Sequence, residues 1–194
     1  MGQEDRKLEA ARVLLGISGG VAAYKAVELA SKMAAGGATV RTVMTENACR
    51  LVGPKSLEAV TRQAVYTSLW EPAKDAAAGH VALADWAEVV VLAPATADII
   101  GKVANGICDD LLSTTLCCCW SKPMVIAPAM NNRMWENPAV QANVEKLRGM
   151  GFVLVGPEVG RLACGGEAVG RMAEPEKILE AVGEQVRQVR QSRQ

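Results

Sequence analysis

Metal ligands are scarce in this chain. It has one histidine, His80, and none of its six cysteines (Cys49, Cys108, Cys117, Cys118, Cys119, Cys164) stands in the C-x-x-C spacing of zinc or thioredoxin-like sites. A His-rich metal centre is therefore excluded. The run Cys117 to Cys119 does not make up for this, because neighbours on a helix point about 100° apart and cannot converge on one ion. These thiols read instead as small, buried apolar side chains. An excess of charge of either sign is also missing: Lys plus Arg and Asp plus Glu number 21 each. The field of the whole chain thus gives no reason to expect nucleic acid or an anionic membrane as partner. The longest apolar stretches, such as Val89 to Ala95, are strand-length and far short of the roughly 20 residues a bilayer span needs. The charged start, Met-Gly-Gln-Glu-Asp-Arg-Lys, has no apolar h-region, which predicts no secretory signal, a cytoplasmic address and no disulfide framework. Neither an internal repeat nor a low-complexity linker is present.

What is there suits one domain: 194 residues, half of them hydrophobic, are enough for a substantial core. Apolar β-rich runs at Val13 to Ile17, Val40 to Met44, Val89 to Ala93, Met124 to Ala127 and Phe152 to Val155 alternate with helical patterns. Those patterns cover Ala22 to Ala35, Thr96 to Ala104, Asp109 to Cys119, Pro138 to Met150 and Glu174 to Val189. The rhythm predicts a single Rossmann-like (flavodoxin-like) three-layer α/β domain, its mostly parallel sheet covered on both faces. The core is expected over about residues 12 to 182, with polar, frayed ends at 1–10 and 187–194. Two segments break the alternation. Pro54 to Gly79 carries only a weak strand at Val65 to Leu69, and Gly156 to Gly170 is glycine-rich. Long connections of this kind often serve as functional lids.

Chemistry gathers where the strands end. The first βα turn, Gly16-Ile-Ser-Gly-Gly-Val21, is neither G-x-G-x-x-G nor a Walker A loop. It is either an ordinary tight turn or a cradle in which the N–H groups and the Ser18 hydroxyl face a phosphate. Thr45 and Thr96 each stand where a helix begins, as caps or as phosphate ligands. The third strand is expected to stop at Pro94, in Ala93-Pro-Ala-Thr-Ala-Asp98. Hydroxyls and free N–H groups at three consecutive strand ends suit a mononucleotide better than three unrelated caps do. His80 is a surface or bonded core group, or else a base beside that edge. Asn131, in Pro-Ala-Met-Asn-Asn-Arg-Met-Trp135, caps the following helix or holds a carboxylate without neutralising it. Cys164 sits in a mobile-looking loop, as an incidental thiol or as a proton donor.

The set as a whole resembles a known family. Ser-Gly-Gly-Val-Ala-Ala-Tyr, the histidine before Leu-Ala-Asp-Trp-Ala, Pro-Ala-Thr-Ala, Pro-Ala-Met-Asn-x-x-Met-Trp, and Leu-Ala-Cys-Gly followed by Gly-Arg-Met-Ala-Glu occur in order over about residues 12 to 182. Together they resemble the homo-oligomeric flavin-containing cysteine decarboxylases, most of all the branch acting on phosphopantothenoylcysteine. The resemblance implies FMN held by Ser18, Gly19, Gly20, Val21, Thr45, Thr96, Ala97, Asp98 and Ala129. It implies that His80 is catalytic, that Asn131 grips the substrate carboxylate beside Met134, and that Cys164 is the acid on a substrate-covering flap. The implied reaction is FMN-dependent decarboxylation of 4'-phosphopantothenoylcysteine to 4'-phosphopantetheine in coenzyme A biosynthesis, through a thioaldehyde, loss of CO2 and re-reduction. A homo-oligomer is implied as well, a trimer or a dodecamer of trimers with the site at subunit contacts. In bifunctional family members a synthetase domain follows, so the chain reads as a stand-alone decarboxylase or as one half of a larger protein. Asp98 stands where the family usually has Asn, adding a negative charge near the flavin, and Ala168 stands where Gly is common. A peptidyl-cysteine decarboxylase of ribosomal peptide modification would share fold, cofactor and residues, although Gly170-Arg171-Met172 looks more like the pantothenate branch. A non-catalytic flavin-binding regulator would need none of His80, Asn131 and Cys164 together.

Overall fold

The computed structural model describes residues 8–70, 79–161 and 165–192. Its centre is a six-stranded sheet in which every pairing is parallel, in the order β3-β2-β1-β4-β5-β6. β1 (Arg12–Ile17) leads into α1 (Ala23–Ala35), and β2 (Thr39–Met44) into the short α2 (Glu46–Leu51) and α3 (Pro54–Thr61) before β3 (Val65–Tyr66). After α4 (His80–Trp86) come β4 (Val89–Ala95), α5 (Ala97–Asn105), α6 (Leu111–Cys118) and β5 (Met124–Pro128). The one-turn α7 (Asn132–Trp135), α8 (Pro138–Gly149) and β6 (Val153–Leu154) complete the sheet, and β7 (Glu158–Arg161), β8 (Glu167–Arg171) and α9 (Pro175–Gln191) follow.

Side-chain alternation along buried strands decides the layers. Val13, Leu15 and Ile17 of β1, with Val89, Val91 and Ala93 of β4, pack under α1 and α9; Leu14, Val90 and Leu92 pack under the α4, α5, α6 and α8 side. Both faces are covered, so the strands read as unbroken apolar runs rather than as a polar and apolar alternation. The chain leaves β1 toward one face and β4 toward the other. The carboxyl ends of these adjacent strands therefore diverge into a crevice, the usual ligand position in such sheets.

The expected flavodoxin-like three-layer α/β fold with a mostly parallel sheet is what the chain forms, and several local expectations are corrected. Pro94 does not end its strand: β4 continues to Ala95, which pairs with Pro128 after a register shift between Leu92 and Ala95. A proline fits there because the irregular stretch needs no N–H from it. The long connection after Pro54 contains α3, opened by that proline at its first turn and closed by Arg62 in the left-handed region (φ 55°). The glycine-rich segment is an antiparallel hairpin of β7 and β8, separate from the main sheet. The C-terminal polar stretch is not frayed through Gln191, because Val186 is buried and Val189 packs against the core. Near the start, Leu8 is 1% exposed, and the Arg190 guanidinium donates to the Glu9 carbonyl. The cysteines are not uniformly buried: Cys119 is, Cys49 is half-buried, and Cys108, Cys117 and Cys118 are exposed. Burial pushes the Cys119 thiol up to about 12. Among the described residues no cluster of ligating groups fits a metal ion, and no helix is long and apolar enough to cross a membrane.

Candidate active site

A cleft of about 1020 Å³ opens at the diverging ends of β1 and β4, and the β1–α1 turn forms its floor. The two strands are tied together there. Ser18 Oγ donates to the Pro94 carbonyl (2.7 Å) and accepts from the Thr96 N–H (3.1 Å), while the Ser18 N–H also reaches Pro94 O (3.3 Å). Ser18 Oγ also lies 3.2 Å from Thr96 Oγ1, so the hydroxyl ties both strand ends while Ser18 lines the cleft. The two glycines that follow allow close approach. A Cβ on Gly19 would stand 2.3 Å from Asn47 Cβ, and one on Gly20 would be 3.1 Å from Thr96 Cγ2. The N–H groups of Gly19, Val21 and Ala22 donate to no group among the described residues. Orphan donors at the mouth of a helix form an anion cradle.

Two further helix starts converge on the same place. Thr45 caps α2, its Oγ1 accepting from the Ala48 N–H at 3.1 Å, and Thr96 caps α5 through a long contact from the Ile99 N–H at 3.5 Å. Both line the cleft, so each is a cap and a wall residue at once. Asp98 lines it too, while Ala97 opens α5 without lining it. The extra charge of Asp98 has a counter-ion one turn on: Lys102 Nζ lies 3.2 Å from Asp98, 3.1 Å from Asp109 and 3.9 Å from Asp110. Burial pushes the Lys102 ammonium down, but the hydrogen bonds it donates to Asp109 and Asp98 outweigh this and hold its pKa above the ordinary lysine value.

At the end of β5, Ala129 donates its N–H to Ala95 O (2.9 Å), extending the sheet edge to Met130 and Asn131. Asn131 caps α7, its Oδ1 accepting from the Arg133 N–H at 2.9 Å. Asn131 and the half-exposed Met134 line the cleft wall. The hairpin docks beside this wall through Gly170, whose carbonyl accepts from the Met130 N–H at 2.9 Å. Ala168 lies in β8 opposite Gly160 and is not among the residues with positive φ, so its Cβ costs the hairpin nothing.

Ser18, Gly19, Gly20, Val21, Thr45, Thr96, Asp98, Ala129, Asn131 and Met134 thus meet in one cleft. His80 does not join them; it is the first residue of α4, half-buried and away from the cleft lining of its own chain. Cys164 lies outside the described residues. Sequence reasoning passed over Lys25, Arg171 and Glu174. Lys25 and Arg171 line the cleft, and Glu174 bonds both. The available signal was Lys25 itself, one helical turn before Leu29 on the inward stripe of α1.

The family model described as Flavoprotein matches residues 1–187. The chain belongs to the Flavoprotein family. The Coenzyme A biosynthesis bifunctional protein CoaBC of Bacillus subtilis (strain 168) is 47% identical over 167 residues, which are 86% of this chain and 41% of that protein. The chain therefore spans about two-fifths of the length of this relative. Among solved structures, a PPC decarboxylase cysteine-to-serine mutant complexed with pantothenoylaminoethenethiol superposes with a TM-score of 0.79 at 36% identity, over 90% of this chain and 97% of that one. The FMN-dependent cysteine decarboxylase SpaF superposes with a TM-score of 0.74 at 37% identity, over 90% of this flavoprotein and 99% of that chain.

Proposed function

We propose that this flavoprotein decarboxylates 4'-phosphopantothenoylcysteine to 4'-phosphopantetheine, a step of coenzyme A biosynthesis, with FMN bound in the cleft at the ends of β1 and β4. The observation that carries the reading is the convergence of the donor-rich glycine turn, Thr45 and Thr96 with Asn131 and Met134 around one cavity. At about 1020 Å³ the cavity stands at the upper end of the roughly 300–1,000 Å³ usual for ligand sites, room for a cofactor and a substrate together. The N–H groups of Gly19, Val21 and Ala22 suit the FMN phosphate, with Thr45, Thr96, Ala97, Asp98 and Ala129 around the rest of the cofactor. Relatives named CoaBC and PPC decarboxylase support the substrate, and the neighbour named an FMN-dependent cysteine decarboxylase supports the cofactor.

When bound, FMN supplies the two-electron exchange that turns the substrate thiol into a thioaldehyde and later restores it, so that loss of CO2 has an electron sink. The protein's part is positioning and proton handling. Asn131 offers N–H donors to the carboxylate. A neutral amide orients it without the full ion pair that would stabilise it in the ground state and raise the barrier to CO2 loss. Met134 supplies apolar contact beside the group to be expelled. Cys164, placed by sequence in the connection between β7 and β8, gives its proton to the enethiolate. His80 is the remaining acid–base group, and its position off the cleft of its own chain fits a site completed by a neighbouring copy in a homo-oligomer. The address is cytoplasmic, in keeping with a small-molecule substrate.

The test is titration with FMN followed by a comparison of substrates. The purified protein takes up FMN and turns yellow, and it turns over 4'-phosphopantothenoylcysteine faster than a peptide ending in cysteine. A protein that remains colourless in excess FMN contradicts the cofactor, and preference for the peptide contradicts the substrate.

A further inference from the structure

Among the described residues Lys25 is the one charged residue in the buried set, and the reaction outlined above gives it no task. Its side chain is 9% exposed, and its Nζ donates to Glu174 Oε2 at 3.0 Å. The second oxygen of the same carboxylate, Oε1, is held by Arg171 of β8. Burial pushes the Lys25 ammonium below the ordinary lysine value, and the neighbouring Arg171 guanidinium pushes it further the same way. A lone inward lysine is costly unless a partner compensates it. The partner here lies at the boundary between the hairpin and α9.

The bridge joins two halves of the cleft that share no sheet. Lys25 stands in the first turn of α1, directly after the glycine turn, and Glu174 is the N-cap residue of α9, three residues beyond the end of β8. From that junction β8 runs back through Arg171 to Gly170, which is bonded to Met130 next to Asn131. The outer strand is fastened to the same end of α9, since Lys177 Nζ lies 2.7 Å from Glu158 of β7.

We propose that Lys25 is a positioning residue: through its ion pair with Glu174 it seats the β7–β8 hairpin against the end of α1 that carries the glycine turn. The inference rests on the decarboxylase reading, because β8 reaches the cleft wall at Met130, next to Asn131, through Gly170. Lys25 acts on the seating of β8 beside Asn131 and not on cofactor affinity. The two members of one ion pair couple energetically, so removal of either breaks the same latch.

The experiment compares Lys25→Met, Lys25→Arg, Glu174→Gln and the Lys25→Met/Glu174→Gln double variant, each loaded with FMN. Expected are an unchanged FMN dissociation constant, a kcat lowered on the order of tenfold in Lys25→Met and in Glu174→Gln, and a double variant no slower than either single one. Lys25→Arg, which keeps the charge, recovers most of kcat. If Lys25→Met does not fold, Glu174→Gln carries the same test, since Arg171 still partners the amide. The proposal is overturned if kcat is unchanged, if the two substitutions multiply, or if FMN affinity falls in step with kcat. Failure of the wild-type protein to release CO2 would strike the decarboxylase reading instead, and FMN affinity measured across the variants stays informative in that case.

Discussion

At Gly170 the backbone leaves no room for a side chain. Its φ is +144°, and an added Cβ would lie 2.2 Å from the Met130 carbonyl oxygen. Gly170→Ala is expected to cost about 1–3 kcal/mol of local strain and to lower the melting temperature by several degrees. Because the displaced contact adjoins Asn131, kcat/KM for the decarboxylation falls more than stability alone accounts for; equal losses measured by calorimetry and kinetics would contradict this. Asp98 behaves in the opposite way. Its carboxylate is 68% exposed and shares Lys102 with Asp109. Asp98→Asn is therefore expected to change stability by less than about 1 kcal/mol, as read by calorimetry. The strand-end residues were legible in the sequence as a group because hydroxyls, glycines and an amide recur at consecutive strand ends, although each alone also serves as a cap or turn. The partners they chose were not. Ser18 Oγ meets a carbonyl 76 positions away, and no local pattern encodes such a contact.

Among the elements, the long apolar strands and the amphipathic α1, α5, α8 and α9 follow directly from their periodicity. Short pieces escaped for physical reasons. α3 is only two turns long and shows no full period, the weak strand expected at Val65 to Leu69 narrows to the two residues of β3, and the hairpin's strands have at most one buried residue to mark them. The junction of α5 and α6 holds the clearest pH-dependent device. Asp109 is held below the ordinary carboxylate range first by its hydrogen bond from Lys102, and its contribution is therefore present above the unfolded-state pKa and lost as pH falls through the lower folded value. Lys102 is raised, so its share is present below the ordinary lysine value and lost only as pH climbs through the raised one. Asp109→Asn should lower the melting temperature at neutral pH, and the gap to wild type should close below about pH 4. A gap that persists in acid would show that the bridge is not its source.

For the whole molecule, parallel topology and two-sided burial were legible because alternation of runs and helices admits few arrangements. Assembly was not, since a face awaiting a partner and a face awaiting solvent share the same residue types. The structure does show an open cleft. Val21 and Tyr24 on its lip are each 63% exposed, and His80 lies off it. If His80 serves a neighbouring copy, His80→Ala and Asn131→Ala are each inactive alone, and mixed oligomers recover activity wherever an intact His80 faces an intact Asn131. Native mass of the mixture confirms exchange, and exchange without recovery would place His80 in its own subunit's chemistry or outside it.

The central claim is that one cleft holds FMN and carries a cysteine carboxylate to CO2. The most direct measurement is CO2 release from carboxyl-labelled 4'-phosphopantothenoylcysteine by the FMN-loaded protein, with 4'-phosphopantetheine followed in parallel. Equal amounts of the two products, both abolished by Asn131→Ala in a variant that still binds FMN, are the predicted result. Flavin fully bound with the label still on the substrate would contradict it.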